Sequence, residues 1–340
     1  MEKTIKEIFL NHEGKVSDKW RLYINEWDNI FSPFRKNEIN LLEIGVQNGG
    51  SLEIWGRYFS KAKNIIGVDI NEKCKQLDFI DPRITLIVGD INTEKVEHKI
   101  IEVSPEFDII LDDGSHTSSD TIHSFIQYFN YLNKNGIYVI EDLHTSYWHK
   151  YEGGLNNPYS TISFLKNLLD VINFEHWRNG KSRNSHLSQF EQQYDVDLNK
   201  VDLCEIHSIY FLNSLCIIKK QSPDKNILGK RTIVGNNGII TKDWQEVNGT
   251  SIHDIAVSVI DDSHMNVFSL IEETKNQKQQ LELDKEVIQD LEQELETYKK
   301  INEEMIQDLE QEVLYYALSK SWRLTRPLRK IMKFIKNALN

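Results

Sequence analysis

Five short apolar runs, at positions 39–44, 64–69, 84–88, 107–111 and 136–140, alternate along the first part of the chain with stretches of helical periodicity. Runs this short, bounded by turn residues, read as buried strands, and the segments 51–59 and 119–132 between them carry apolar residues at helical spacing. Strand–helix alternation admits few folds. Crossovers that return each strand parallel to the last build an α/β, doubly wound sheet with helices on both faces. Ligands of such a sheet sit outside the carboxyl ends of its strands. Two further β-rich runs, 203–210 and 214–219, are separated only by Phe211-Leu212-Asn213. That gap is too short for a crossover helix and predicts an antiparallel hairpin, which brings the sheet to seven strands.

The segment after the first strand reads Leu42-Glu43-Ile44-Gly45-Val46-Gln47-Asn48-Gly49-Gly50-Ser51. Gly45 and Gly49 let the backbone turn sharply and approach a ligand, and Ser51 opens the next helix. A dinucleotide site requires Gly-x-Gly-x-x-Gly, so that a pyrophosphate can rest on the helix N-terminus, and that spacing is absent. Glu43 instead suits a ligand with a positively charged aminoacyl end. The second strand ends in Asp69, whose carboxylate can accept both ribose hydroxyls. The third ends in Gly89-Asp90-Ile91, with Asp90 placed for an adenine amino group and Ile91 for the ring face. Taken singly, these glycines and acids have a plain structural reading as turns and caps. Together, on three successive strands, they predict a nucleoside-containing cofactor, and the missing pyrophosphate loop favours S-adenosylmethionine over NAD.

The fourth strand runs out into Leu111-Asp112-Asp113-Gly114-Ser115-His116 and the fifth into Val139-Ile140-Glu141-Asp142-Leu143-His144. Neighbouring strands lie about 4.8 Å apart, so residues just past their ends can converge. Asp113, Glu141 and Asp142 then form an all-oxygen cluster, which raises its own pKa values or recruits a hard cation, Mg2+ before Mn2+ or Ca2+. A cation there lowers the pKa of a sugar or catechol hydroxyl and orients it for attack on a sulfonium methyl. His116 is the candidate base, with His144 behind it, and Asp112 takes a cofactor-side or structural role. The alternative reading makes these acids helix caps paired with the histidines. Capping accounts for one acid per loop, not two adjacent pairs each followed by a histidine.

A formal charge of -12 at pH 7 excludes nucleic acid as the default partner, because phosphate binding needs a basic surface. Cys74, Cys204 and Cys216 have no ligand spacing, so a reduced, cytoplasmic protein is expected. No run approaches the roughly 20 apolar residues that span a bilayer, which limits membrane contact to the periphery, at the inner face. Positions 221–265 read as an irregular extension. Beyond them, 266–318 is rich in Glu, Gln, Lys and Leu and lacks Gly and Pro, as in a coiled coil. Ile288, Leu291, Leu295, Tyr298, Met305 and Leu309 recur every three or four positions, apart from one step of seven, and Ile-Gln-Asp-Leu-Glu-Gln-Glu occurs at 288 and again at 306. A shift of 18 residues is about five turns at 3.6 per turn, which departs from strict heptads and predicts a locally straightened bundle and a homo-oligomer. A solvated single helix is the other reading, to which Asn302 is suited. The last segment, 319–340, is basic, free of acids and amphipathic, with Trp322 and Phe334, and suits an anionic membrane interface or a partner-docking role.

The runs Leu-Glu-Ile-Gly-Val with Gly-Gly-Ser-Leu, then Asp-Asp-Gly-Ser-His, then Val-Ile-Glu-Asp-Leu-His-Thr-Ser-Tyr-Trp resemble the metal-dependent sugar O-methyltransferases of the mycinamicin (macrolide) type, over roughly positions 17–220. The resemblance implies a class I, Rossmann-like methyltransferase domain over 36–220 behind a helical cap over 1–35. It implies Mg2+ ligation by Asp113, Glu141 and Asp142 and His116 as base, beside the S-adenosylmethionine that the strand-end pattern already places over Glu43, Gly45, Asp69 and Asp90. Ser17-Asp18-Lys19 resembles a further family feature near the active site. Tyr147 and Trp148 are placed either to stack on a sugar or to pack within their loop. The macrolide enzymes carry an additional N-terminal assembly domain without counterpart in these residues, so substrate and oligomer do not carry over. The tail Ser-Trp-Arg-Leu-Thr-Arg-Pro-Leu-Arg resembles those of bacterial surface-polysaccharide glycosyltransferases and methyltransferases, which implies a glycan acceptor and glycosyltransferase or membrane contact. Two functions follow as expectations: a sugar O-methyltransferase of surface glycan assembly, or an inactive methyltransferase-like scaffold that recruits assembly partners.

Overall fold

The computed structural model describes residues 2–177, 180–240, 244–254, 267–318 and 320–338, and divides into two units, Met1–Val259 and Ile260–Asn340. The first unit is built on seven strands, β1 Asn40–Ile44, β2 Asn64–Asp69, β3 Ile84–Val88, β4 Phe107–Asp112, β5 Leu132–Ile140, β6 Ile206–Leu212 and β7 Leu215–Lys220. They lie in the order β3-β2-β1-β4-β5-β7-β6. β1 to β5 are parallel, while β7 pairs antiparallel with both β5 and β6. The strand order reverses between β1 and β4, and the crevice outside their carboxyl ends is the expected ligand position.

Both faces of the sheet are covered because its inner strands bury alternate apolar side chains in opposite directions. Leu41, Ile65, Ile109 and Val139 face a cluster with Ile5, Tyr23, Trp27, Leu52 and Trp55 from α1 Ile5–Leu10, α2 Arg21–Phe31 and α3 Gly50–Tyr58. Leu42, Ile66, Ile110 and Tyr138 face the opposite cluster with Ile100, Phe125, Phe164 and Phe190. Those come from α4 Glu94–Val103, α5 Ser118–Tyr128, α6 Thr161–Ile172 and α7 Arg183–Tyr194.

Several boundaries differ from the sequence reading; the β-rich run expected at 203–210 begins as a 3-10 turn at Leu203–Glu205, and its strand β6 starts only at Ile206. The helix expected over 119–132 ends at Tyr128, and after a 3-10 turn Leu132 opens β5 by pairing with Phe107. Leu132 joins the core through the strand, so tertiary burial overrides its helical periodicity. The hairpin turn is Asn213-Ser214 rather than 211–213, because Phe211 and Leu212 pair with Cys216 and Leu215. Ser214 supplies the positive φ, 68°, of a two-residue turn.

Described by itself, the second unit contains α8 Val267–Leu318 and α9 Lys320–Ala338, the latter with Pro327 inside it. At about 1.5 Å per residue, α8 is close to 80 Å long. No helix among the described residues is long and apolar enough to cross a membrane. The junction near 265 and the side chain of Trp322 lie outside the described residues.

Candidate active site

A cleft of about 420 Å³ opens at the crevice between β1 and β4. Of the nucleoside-site candidates, Gly45, Ser51, Asp69, Asp90, Ile91 and Asp112 line it, as do Asp113, His116 and Asp142. Glu43, Gly49, Glu141 and His144 are not among its lining residues. Gly49 starts α3 at φ 82° and a Cβ there would meet Phe79 and Lys15, so its role is packing. Gly45, at φ 90°, is where the loop after β1 touches the loop after β4: a Cβ there would lie 2.0 Å from the Asp113 carbonyl oxygen.

Asp69 spends part of its acceptor capacity on its own scaffold. Its Oδ2 accepts from the Val46 and Gln47 amides at 2.9 and 2.8 Å, and Oδ1 accepts from the Asn71 amide at 2.8 Å. A carboxylate has about four lone-pair sites, which leaves room for a ribose hydroxyl. Asp90 caps its own loop through the Asn92 amide at 2.9 Å, and Asp112 accepts from Ser124 at 2.5 Å and Tyr138 at 3.2 Å. Burial raises the Asp112 pKa to about 6, against those hydrogen bonds, which lower it.

Beyond the nucleoside end lies a buried charge cluster. The Lys19 ammonium reaches it from the segment before α2, bonding to Asp113 and, at 2.6 Å, to Glu141 Oε2. Glu43 lies behind them at the end of β1, fully buried, with Ser51 donating to its Oε2 at 2.9 Å. One ammonium cannot neutralise three desolvated carboxylates. Burial accordingly raises the pKa of Glu43 to about 7 and of Glu141 to about 8, and raises that of Asp113, while Lys19 pulls each the other way.

Asp142 and His116 form the solvent side of the cluster, both left-handed, at φ 56° and 61°. Non-glycine residues held there in two adjoining loops mark a strained site. His116 Nε2 lies 3.8 Å from Asp142 Oδ2, and burial lowers the histidine's pKa, which keeps the imidazole neutral near neutral pH. The Trp20 indole donates to Asp142 Oδ1 at 3.0 Å, and the Tyr23 hydroxyl lies 3.0 Å from the same oxygen. His144 sits outside the cleft lining but beside the cluster: its Nδ1 is 2.6 Å from Ser214 Oγ and 4.0 Å from Asp142 Oδ1, with edge contacts to the rings of Trp20 and Trp148. Tyr147 and Trp148 are about half exposed beside the site.

The chemistry of this donor set fits a hard divalent cation. Ligand atoms of Asp113, His116 and Asp142 lie within 4.8 Å of one another, and Glu141 Oε1 is buried without a hydrogen-bond partner. Glu141 is joined to that trio through Lys19. Lys19, Trp20 and Tyr23 are the residues that local pattern did not specify. Only the Ser-Asp-Lys wording pointed to this segment, and nothing local placed the two aromatic residues on Asp142.

Titration of Glu43 has a measurable consequence in the ligand-free protein. Its folded pKa, about 7, lies above the ordinary 4.5, so the folded state binds more protons and stability falls as pH rises through that window. Glu43→Gln is expected to remove a loss on the order of 3 kcal/mol between those pH values. Urea unfolding at both ends measures it, and equal pH slopes for variant and parent would refute the assignment.

The seven-stranded sheet with its terminal antiparallel hairpin is the Rossmann-like fold of class I methyltransferases, and residues 42–143 match the family described as a methyltransferase domain. Among curated proteins the chain is 36% identical over 166 residues to the 8-demethyl-8-alpha-L-rhamnosyl tetracenomycin-C 2'-O-methyltransferase of Streptomyces olivaceus, covering 46% of this chain and 43% of the relative. It is 32% identical over 197 residues to the mycinamicin VI 2''-O-methyltransferase of Micromonospora griseorubida, covering 55% and 46%. The chain thus spans less than half the length of these relatives. Among solved structures it is similar to the MycE methyltransferase in complex with Mg and SAH, with TM-score 0.52 and 25% identity over 66% of this chain and 56% of that one.

Proposed function

We propose that this chain transfers a methyl group from S-adenosylmethionine to a hydroxyl of a sugar, with Mg2+ or Mn2+, in the assembly of a bacterial surface glycan. The observation that carries the reading is the buried carboxylate excess around Lys19, joined to a nucleoside-sized cleft and facing a neutral histidine. Tetracenomycin and mycinamicin sugar O-methyltransferases as relatives support the acceptor class, and the basic C-terminal helix supports a glycan built at a membrane.

Asp113 and Asp142, with Glu141 behind them, would hold the cation, which when bound lowers the pKa of the acceptor hydroxyl. Asp69 and Asp90 bind the nucleoside, and Glu43 balances the positive aminoacyl end from beneath. His116 Nε2 takes the hydroxyl proton, and the resulting imidazolium is stabilised by Asp142. The acceptor oxygen bonds to the methyl carbon as the carbon–sulfur bond breaks, leaving a neutral thioether. Trp20 and Tyr23 orient Asp142 and leave His116 free to act.

The scaffold reading has one observation in its favour, since the Lys19 ammonium already bridges Asp113 and Glu141 as a cation would. Calorimetry separates the two. S-adenosylmethionine is expected to bind with micromolar affinity, and turnover to stop in a chelator and return with Mg2+. No binding at millimolar cofactor would leave the scaffold reading standing.

The proposal includes self-association through α8. Ile288, Leu291, Leu295, Tyr298, Met305 and Leu309 are each more than half exposed, an apolar seam interrupted only by Asn302. An asparagine within such a seam pairs with its own copy and sets register. Sedimentation equilibrium should find an oligomer of the full chain that Leu295→Glu dissociates; a parent chain that sediments as a monomer contradicts it.

A further inference from the structure

The methyl-transfer site makes no use of α9, whose two faces are chemically separate from Arg323 onward, positions Lys320 and Trp322 in its first turn falling on the opposite arcs. At 3.6 residues per turn, Leu324, Leu328, Ile331, Met332, Phe334 and Ile335 fall within an arc of about 160°. All six are at least half exposed. Arg323, Arg326, Arg329, Lys330, Lys333 and Lys336 occupy the complementary arc of about 140°. No acid interrupts either face between 320 and 338, whereas α8 carries fourteen acids against five lysines.

We propose that α9 is a membrane-surface helix that lies in the plane of an anionic bilayer, its apolar arc in the acyl boundary and its basic arc among lipid phosphates. Charge decides the occupant. A second copy of α9 packed on the apolar arc would leave both basic arcs facing water without counter-charge, and an acidic protein would satisfy the basic arc while leaving Phe334 and Leu324 in water. An anionic bilayer matches both faces at once. The apolar arc is one helix face and not a continuous apolar stretch, so the helix lies on the bilayer and does not cross it. Arginine and lysine stems reach from the arc's edge to the headgroups, so the basic residues beside the apolar face add buried methylenes as well as charge.

This inference stands apart from methyl transfer and is tested without it. Full-length protein is mixed with vesicles of phosphatidylcholine alone, or of phosphatidylcholine with phosphatidylglycerol, and sedimented. Binding is expected only to the anionic vesicles and is expected to weaken in high salt. Arg326→Glu with Lys330→Glu should lower the partition at least about tenfold, as each cation near the surface contributes on the order of 1 kcal/mol. Ile331→Glu should lower it comparably while keeping S-adenosylmethionine affinity and the parent oligomer, which shows that the chain still folds. Equal binding to neutral vesicles, anionic binding unaffected by Ile331→Glu, or no vesicle binding by the parent chain would each overturn the proposal. An Ile331→Glu variant that changes oligomeric state would assign the face to a second copy instead.

Discussion

Asp113→Ala is expected to lower kcat by about a thousandfold or more while S-adenosylmethionine still binds, because it removes a cation ligand and leaves Glu141 paired with Lys19 alone. The carboxylate is bonded to Lys19 beside Glu141, and its loss lowers the carboxylate excess that a cation would balance. Single-turnover rates with saturating Mg2+, alongside calorimetry for the cofactor and for Mn2+, make the measurement. His116→Ala acts on a different step. It should cost about a hundred- to ten-thousandfold in kcat with cation affinity less affected, and raising the pH should restore part of the rate by ionising the acceptor without the base. An Asp113→Ala protein with parental turnover would remove the metal role, and a His116→Ala protein with parental turnover would remove the proton-transfer role.

The second large effect concerns folding. Gly45→Ala is expected to destabilise the first unit by roughly 3 kcal/mol, since φ is 90° and the new Cβ would lie 2.0 Å from a backbone oxygen that cannot rotate away. The thermal midpoint should fall by roughly 6–12 °C, read by circular dichroism. Gly49→Ala is the control. Its φ, 82°, is similarly unfavourable, but the new Cβ meets the ends of the Phe79 and Lys15 side chains, which can shift. Its loss should be about half as large. Equal losses at the two positions would show that backbone conformation alone, and not the approach to Asp113, sets the requirement at Gly45.

Much of the fold was legible in the residue pattern. β2 and β3 coincide with the expected runs, and β1 and β4 differ by one residue at an end, because strands buried on both faces are short apolar runs cut off by turn chemistry. The helices α4, α6 and α7 were less visible. α7 has polar residues over most of its surface and buries only Leu187 and Phe190, too few for a periodic signal. In the site, the acids were legible as strand-end pairs. Which of them line the cleft was not, since register decides it: Glu43 pairs with Gly67 inside the sheet and is fully buried, while Asp69 stands two positions further along β2 at the cleft.

The sequence by itself determined the strand and helix alternation, the acidic ends of β1 to β5 and the two-faced C-terminal helix, because apolar period and turn chemistry act over a few neighbouring residues. Tertiary structure alone decided that Lys19 meets Asp113 and Glu141 across 94 and 122 positions, and that Trp20 and Tyr23 reach Asp142. It also decided that His116 faces the cleft while His144 is bound to Ser214. Charge balance in a desolvated site depends on which distant groups are buried together, and periodicity carries no information about that.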